Sequence, residues 1–263
     1  MSAEKDILIC VKTYPEYSTK YTETVCTAGI LKETKQLIRL YPITYRYLEG
    51  DRKFGKYQWI TAEIQKNPAD RRPESYKVNL NSIQLGDRID SSNNWNQRKH
   101  WVLSEKNIYP SLDALLKAQE VRGTSLGLIT IKKMINFEIR SKTKDEIEEA
   151  ESKKDRIMKQ LNFFEARKDL ELIPFRFSLR FSCDDGACQG PHKVSVLDWE
   201  FGQLYRRLKG TNNWRDLIQE RIREILSPER DTYLFMGNML SHPKAFSVLG
   251  FFWPKKDPQF KLF

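Results

Sequence analysis

The residues best suited to chemistry lie in one short segment that follows a predicted strand. Cys183, Cys188 and His192 are spaced C-x4-C-x3-H, and thiolate and imidazole groups at short spacing on a turn are typical ligands of zinc. The segment lacks a fourth ligand, for which His242, between two predicted strands, is the best remote candidate and Asp198 the second. Four protein ligands would make a structural zinc site, whereas three and a bound water would make a hydrolytic one. The alternative is a tight polar turn without metal.

Two carboxylates follow this segment, at the start of a predicted helix. Asp198 and Glu200 flank Trp199, and acidic side chains at a helix N-terminus are favoured by the helix dipole alone. The other interpretation is a metal-dependent nuclease or phosphodiesterase, in which Asp198 and Glu200 hold Mg²⁺ and His192 is the base. Because positions two apart diverge on a helix, the two carboxylates converge only if Asp198 precedes the first turn.

Residues 39–59 interleave basic and aromatic side chains in a way typical of surfaces that hold single-stranded nucleic acid. The cations attract phosphates and the rings stack on bases without reading their sequence. The alternative is that the rings fill the core of a small barrel and the charges lie on its rim. Further basic residues extend the pattern through the same half of the chain. The candidate nucleic-acid-binding residues are Arg39, Tyr41, Arg46, Arg52, Lys53, Lys56, Arg71, Arg72, Arg98 and Lys99.

The charge balance favours a polyanionic partner. The chain of 263 residues has 45 Lys and Arg against 35 Asp and Glu, a formal net charge of +10. Residues 1–141 hold 23 of the basic and 16 of the acidic residues, so the excess is largest in the half that contains the basic and aromatic segment. Such an excess attracts nucleic acid or a partner that carries acidic groups.

Composition also excludes several classes of protein. With 40% hydrophobic residues the chain can bury a sizeable core, and no apolar run approaches the roughly 20 residues that span a bilayer, so we expect no contact with a membrane. The first residues lack the basic region of a secretory signal, so we expect a cytoplasmic protein. The motifs of P-loop nucleotidases, dinucleotide oxidoreductases and α/β-hydrolases are absent.

Hydrophobic patterning predicts an α+β protein with two modules. Short strand-like runs at regular spacing favour a β-rich, barrel-like module over residues 1–124. Residues 90–107 are polar and predict a loop. A mixed α/β module is expected over residues 125–263. Its predicted elements are strands at 126–139, 175–181, 233–236 and 245–253, and helices at 143–167, 197–208 and 214–225.

Three stretches together resemble a family of uncharacterised bacterial proteins of a kind suspected in mobile-element or anti-phage loci. The resemblance covers nearly the whole chain, and it implies no activity and no catalytic residue. One departure is Pro191, which separates Gly190 from His192 where glycine directly before histidine is expected. The stretches are residues 12–29 (KTYP to VCTAG), residues 38–43 (IRLYPI) and the C-x4-C segment with its histidine and Asp-Trp-Glu.

These observations give one leading hypothesis and two alternatives. The leading one is a cytoplasmic nucleic-acid-binding protein, for DNA or RNA, of a bacterial defence or mobile-element system. Its cofactor would be zinc at the cysteine and histidine segment. The alternatives are the metal-dependent nuclease with His192, Asp198 and Glu200, and an adaptor subunit that binds protein partners in a defence complex.

Overall fold

The computed structural model describes residues 2–18, 21–160 and 170–257. Within these residues the first half of the chain forms a barrel of five strands, closed in the order β1-β3-β4-β6-β5 and back to β1, with β2 added to β3 and β7 to β5. Only β4 and β6 pair in parallel among these strands. The strands are β1 (Ala3–Lys12), β2 (Glu16–Ser18), β3 (Thr22–Leu31), β4 (Leu37–Ile43), β5 (Gln58–Lys66), β6 (Ser75–Val78) and β7 (Gln84–Arg88).

The described part of the second half forms another seven-stranded sheet, in the order β10-β11-β12-β14-β13-β9-β8. Its strands are β8 (Ile108–Tyr109), β9 (Leu126–Thr130), β10 (Lys133–Ser141), β11 (Phe175–Ser182), β12 (His192–Val196), β13 (Tyr233–Met239) and β14 (His242–Phe252). The helices are α1 (Ser92–Val102), α2 (Leu112–Arg122), α3 (Lys144–Gln160), α4 (Trp199–Leu208) and α5 (Trp214–Ile225). The predicted α+β class and the barrel-like first module are confirmed.

Strand β1 is buried on both faces, and this joins the two halves. Ile7 and Ile9 point into the barrel core. Leu8 and Val11 belong to a second core that also holds residues of the other sheet, among them Phe252. We call this second core the seam. An uninterrupted apolar run such as residues 7–11 is what a strand covered on both sides requires.

The second sheet is likewise covered on both faces. On β13 and β14, adjacent residues alternate between the seam, as Phe235 and Leu249 do, and the core under the helices, as Leu234 and Val248 do. Helices α4 and α5 place their apolar residues in that helix-covered core. Because successive side chains of a strand point to opposite faces, one sheet contacts both the barrel and the helices.

Two sequence predictions need correction and one extends past the described residues. The predicted loop at 90–107 contains helix α1, because a left-handed turn at residues 93–95 places Trp95 against Tyr57 and Phe252 before the helix continues. The single strand predicted at 126–139 is two, β9 and β10. Helix α3 is described to residue 160, and the remaining residues 161–167 of the predicted helix lie outside the described residues.

The division at residues 124 and 125 stays a prediction. Strand β8 and helix α2 lie before that division in the chain, yet β8 pairs with β9, and Leu112 and Leu115 of α2 are buried in the core of the second sheet. Across the described residues, the structure has no helix of the length and apolarity that crossing a membrane demands.

Gly202, on helix α4, gives a test of how closely the two halves pack. A Cβ built there would overlap the ring of Tyr14, which follows strand β1. Alanine is favoured over glycine in a helix by about 1 kcal/mol, but we expect Gly202→Ala to destabilise the protein by about 1–3 kcal/mol because the Tyr14 ring must move. Gly210→Ala, where a Cβ meets nothing within 4 Å, is the control in denaturant unfolding. A stabilised Gly202→Ala protein would contradict the packing described here.

Candidate functional site

A cavity of about 930 Å³ lies between the barrel and the second sheet, and we call it the cleft. The barrel contributes strands β3 and β4, with the loops that join β1 to β3 and β5 to β6. The second half contributes Lys142, helix α3, residues 172–177 and 195–198, Gly202 and the β13–β14 hairpin. Arg72, in the β5–β6 loop, donates a hydrogen bond of 2.7 Å to the Asn238 carbonyl in the hairpin, so the two walls are joined at this point.

Arg39 is the most unusual residue of the cleft wall. It lies on β4 with 1% of its surface exposed, and its Nη2 donates to the Ser125 carbonyl over 3.1 Å. Its Nε and Nη1 are buried without a hydrogen-bond partner among the described residues. Burial lowers the pKa of Arg39, because moving a charge out of water costs free energy that only a partner can offset.

The carboxylates near Arg39 already have other partners. Asp70 accepts hydrogen bonds from Arg72 and from the Ser75 hydroxyl, and Glu74 accepts from the amide and hydroxyl of Ser125. These acids act on Arg39 only through space. An anion bound in the cleft would therefore offset a charge that the described residues leave without a contacting acid.

The cleft has an excess of cations and a set of tyrosines. Basic side chains outnumber acidic ones two to one in its lining, and burial lowers the pKa of Lys142 among them. Tyr21 and Tyr41 meet edge to face with ring centroids 6.4 Å apart. The charged residues of the lining are Arg39, Arg72, Lys77, Lys142, Lys153 and Arg176 against Glu16, Asp70 and Asp198, and its tyrosines are Tyr14, Tyr17, Tyr21 and Tyr41.

The structure does not form the exposed basic and aromatic surface that we expected along residues 39–59. Phe54 is buried in the barrel core, whose inward positions must be filled by large apolar groups, and Tyr57 is buried in the seam. Lys53 and Arg71 are exposed. The other predicted cations outside the cleft have partners: Arg46 with Glu23, Arg52 with Glu49, Lys56 with Glu200, Lys99 with Asp257, and Arg98 with the Ile89 carbonyl.

Three of the ten predicted binding residues, Arg39, Tyr41 and Arg72, are brought together in the cleft. Residues of the cleft that the sequence reasoning missed include Lys77 and Lys142. Lys142 lies between Arg140 and Lys144, but this short basic run opens a predicted helix of balanced charge, and Lys77 stands apart from other basic residues. Lys77 is placed in the cleft by strand β6 of the barrel, and Lys142 directly follows strand β10.

Asp198 and Glu200 lie in a charged cluster with two lysines that sequence reasoning did not place there. Asp198 caps α4 by accepting the Glu200 amide over 2.8 Å, and its backbone bridges to Thr13 of the barrel. Lys56 donates to Glu200 over 3.2 Å. Lys12 lies 4.0 Å from the centroid of the Tyr45 ring, and its burial lowers its pKa to about 8.

His192 is separated from these carboxylates. It begins β12, and Asp198 follows the end of that strand, so about 13 Å of extended chain lies within β12 alone. The structure therefore does not bring His192, Asp198 and Glu200 together as one catalytic site. It brings His192 to the two cysteines instead.

Cys183, Cys188 and His192 form a compact group of metal-ligand atoms. One ligand atom from each lies within 4.8 Å of the others, and the Cys188 sulfur is 3.0 Å from His192 Nε2. All four cysteines of the chain are free thiols. The group could bind a metal ion, as its spacing predicted. His242 is not part of it: its Nδ1 contacts the Ser241 hydroxyl at 2.8 Å, at the exposed β13–β14 turn.

Two family models match the chain, side by side. The one described as domain of unknown function DUF8758 matches residues 3–104, and the one described as domain of unknown function DUF8757 matches residues 108–263. No curated protein matches the chain. The first match covers the barrel with α1, and the second covers the other sheet with its helices. Both are consistent with the uncharacterised family that the sequence resembles.

Asp198 predicts a measurable pH dependence of stability. Burial raises the pKa of this carboxyl to about 6 in the folded protein, from an ordinary value of 3.8. The folded state therefore binds the proton more tightly than the unfolded state, and the contribution of Asp198 to stability falls as pH rises from about 4 to 6. We expect Asp198→Asn, which keeps a helix-capping residue, to become more stable relative to wild type by about 1–3 kcal/mol over this range.

Denaturant unfolding at pH 4, 5, 6 and 7 measures this difference. Asp216→Asn, which changes an exposed acid in the first turn of α5, is the matched control. If the free energy of unfolding differs between wild type and Asp198→Asn by the same amount at pH 4 and at pH 7, Asp198 does not gain a proton on folding.

Proposed function

Because this chain belongs to the family described as domain of unknown function DUF8757, whose model matches more than half of it, we propose its function from the cleft: it binds single-stranded nucleic acid there. The observation that carries the proposal is the buried, incompletely paired guanidinium of Arg39 in the wall of a cleft rich in cations and tyrosines. Phosphates offset the cations, and bases stack on the rings.

The topology of the barrel supports this location. Counted along the chain, its five strands are ordered first, second, third, fifth, fourth and back to first, with the third and fifth parallel. This is the arrangement of the oligonucleotide- and oligosaccharide-binding (OB) barrel. That fold binds its ligands on the face of the second and third strands and on the loops after the first and fourth strands.

The cleft is lined by these same elements. Cys26 is on the second barrel strand, Arg39 and Tyr41 are on the third, Tyr14 follows the first, and Arg72 follows the fourth. A fold alone does not establish a function. The coincidence of the expected face with the cation excess favours nucleic acid over neutral oligosaccharide.

We further propose zinc as the metal at Cys183, Cys188 and His192, in a structural role. Two thiols and an imidazole are a donor set that zinc prefers, and the group lies apart from the cleft, since none of the three residues lines it. On the sequence resemblance alone, we propose that the protein acts in the bacterial cytoplasm as part of a defence or mobile-element system.

Cleft lysines provide the test of nucleic-acid binding. We expect the double variant Lys77→Ala, Lys142→Ala to bind a labelled single-stranded oligonucleotide roughly 10- to 30-fold more weakly at about 0.1 M salt. Each lost phosphate contact also makes the slope of log affinity against log salt shallower by about 0.7. Fluorescence anisotropy across salt concentrations measures both quantities. The matched control is Lys117→Ala, Lys133→Ala, which removes two lysines outside the cleft.

Competitors identify the ligand class. Duplex DNA, a mononucleotide and a neutral oligosaccharide are added in excess to the labelled complex, and only unlabelled single strands should displace the probe efficiently. Displacement by mononucleotide at equal concentration would assign the cleft to a free nucleotide instead. If no oligonucleotide binds at low salt, or if both double variants lose affinity equally, nucleic-acid binding at the cleft is wrong and the adaptor alternative gains support.

Zinc content tests the metal proposal separately. We expect about one zinc per chain by elemental analysis, and we expect Cys183→Ser to lose it, because a thiolate ligand is replaced by a weak donor. Chelation should lower the thermal unfolding midpoint by about 5–10 °C, since metal binding to the folded state adds to stability. Cys26→Ser, outside the cluster, should retain the metal. Full-length protein without stoichiometric metal after zinc addition would contradict the site.

A further inference from the structure

We propose that Asp113 is the fourth ligand of the metal site, which is therefore a closed Cys₂HisAsp centre linking helix α2 to the loop between β11 and β12. The inference rests on the zinc site proposed above, and it replaces the remote candidates His242 and Asp198 with a residue that the sequence pattern does not mark. Asp113 lies seventy residues before Cys183, in the first turn of α2.

Asp113 lies close to His192, one of the three ligand residues. Its Oδ1 is 3.8 Å from His192 Nε2, and that same ring nitrogen is 3.0 Å from the Cys188 sulfur. Separations of this size are those between neighbouring ligand atoms around one zinc ion, whose bonds to nitrogen, oxygen and sulfur are about 2.0–2.3 Å long. Asp113 lies beside His192 but outside the group of three whose ligand atoms all lie within 4.8 Å of one another, so its side chain would turn toward the ion on binding it.

The choice of ring nitrogen distinguishes a ligand from a supporting carboxylate. A carboxylate that merely orients a metal-bound histidine accepts from the ring nitrogen that faces away from the metal. Here the Asp113 oxygen and the Cys188 sulfur both approach Nε2 of His192. Asp113 therefore lies on the metal side of the ring, where a fourth ligand is needed.

The loop is already held in place on the helix. Asp113 Oδ2 accepts the Gln189 amide over 2.7 Å, and the Ser111 hydroxyl, which also caps α2 by accepting the Ala114 amide, donates to Asp185 over 2.7 Å. These bonds leave Oδ1 of Asp113 directed toward the cluster. The amide of Leu112 interacts with the Cys183 sulfur, so the positive end of the helix faces the anionic ligands.

A closed set of four protein ligands has a functional consequence. Zinc with four protein ligands has no open position for water, and such sites are structural. The proposal therefore excludes the hydrolytic alternative for this cluster. It also makes the metal a cross-link between a helix that precedes residue 124 and a loop that follows it.

Cobalt substitution in the full chain tests the proposal, because Co²⁺ reports both the number of thiolate ligands and the coordination number through its absorption spectrum. We expect wild type to give the intense visible bands of a tetrahedral site. Asp113→Cys, which adds a third thiolate, should raise the thiolate-to-cobalt absorbance by about one half. Asp113→Ala should weaken zinc affinity, measured by chelator competition, by at least about 10- to 100-fold.

The control variant is Asp216→Ala, which changes an acid in the first turn of α5 and should alter neither measurement. Far-ultraviolet circular dichroism confirms that each variant is folded. If wild type binds metal but Asp113→Ala binds zinc with unchanged affinity and Asp113→Cys adds no absorbance, Asp113 is not a ligand and the three-residue zinc site stands. If wild type binds no metal, the zinc site itself is wrong.

Discussion

The burial of both faces of strand β1 is the constraint on which the rest of the structure depends. Its alternate side chains must be covered on one side by the barrel interior and on the other by the second sheet. Burying each of these large side chains contributes about 1.5–3 kcal/mol. Exposing either face of β1 to water would therefore destabilise the protein substantially. The orientation of the two halves, and with it the shape of the cleft between them, follows from this shared apolar packing.

The cleft lies where the apolar contact ends. Beside the seam, the β3–β4 surface continues as Thr24, Cys26, Arg39 and Tyr41. The opposing hairpin presents Asn238, whose Oδ1 is also buried with no partner in the described part of the chain. Unpaired polar atoms of this kind are uncommon in folded proteins. Among the described residues, Arg39, Asp198 and Asn238 place such atoms along this one cavity, whereas Thr27 and Tyr57 place theirs elsewhere. The three in the cavity mark it as a place for a polar ligand.

The sequence predicted individual strands and helices better than it predicted the contacts between parts distant in the chain. The alternation of residues 175–181 and the runs at 7–11 and 37–43 are local signals, and each becomes a strand. Helix α1 was missed because its first turn depends on left-handed asparagines and on Trp95 reaching β14, a contact distant in the chain. Barrel closure also depends on long-range pairing, of β1 with β5, which spacing can suggest but cannot specify.

The same distinction holds for the sites. Cys183, Cys188 and His192 lie within ten residues, so their proximity could be predicted from spacing alone. Asp113 and the lysines at Asp198 could not, because only the tertiary fold brings them there. For residues 39–59, composition could not distinguish a stacking surface from a core. Phe54 is buried in the barrel core and Tyr57 in the seam, whereas Tyr41 lines the cleft.

The seam has a consequence for any attempt to separate the two family segments. Cutting the chain in the short connection between α1 and β8 would expose the hydrophobic surface of the seam on both fragments. Leu8 and Val11 would be exposed on one fragment, and Phe235 and Phe252 on the other. Each fragment alone would be prone to aggregate through this exposed hydrophobic surface. When the two fragments are expressed together, their hydrophobic surfaces are complementary. The chain could therefore be used as a split protein that reassembles only when both fragments are present.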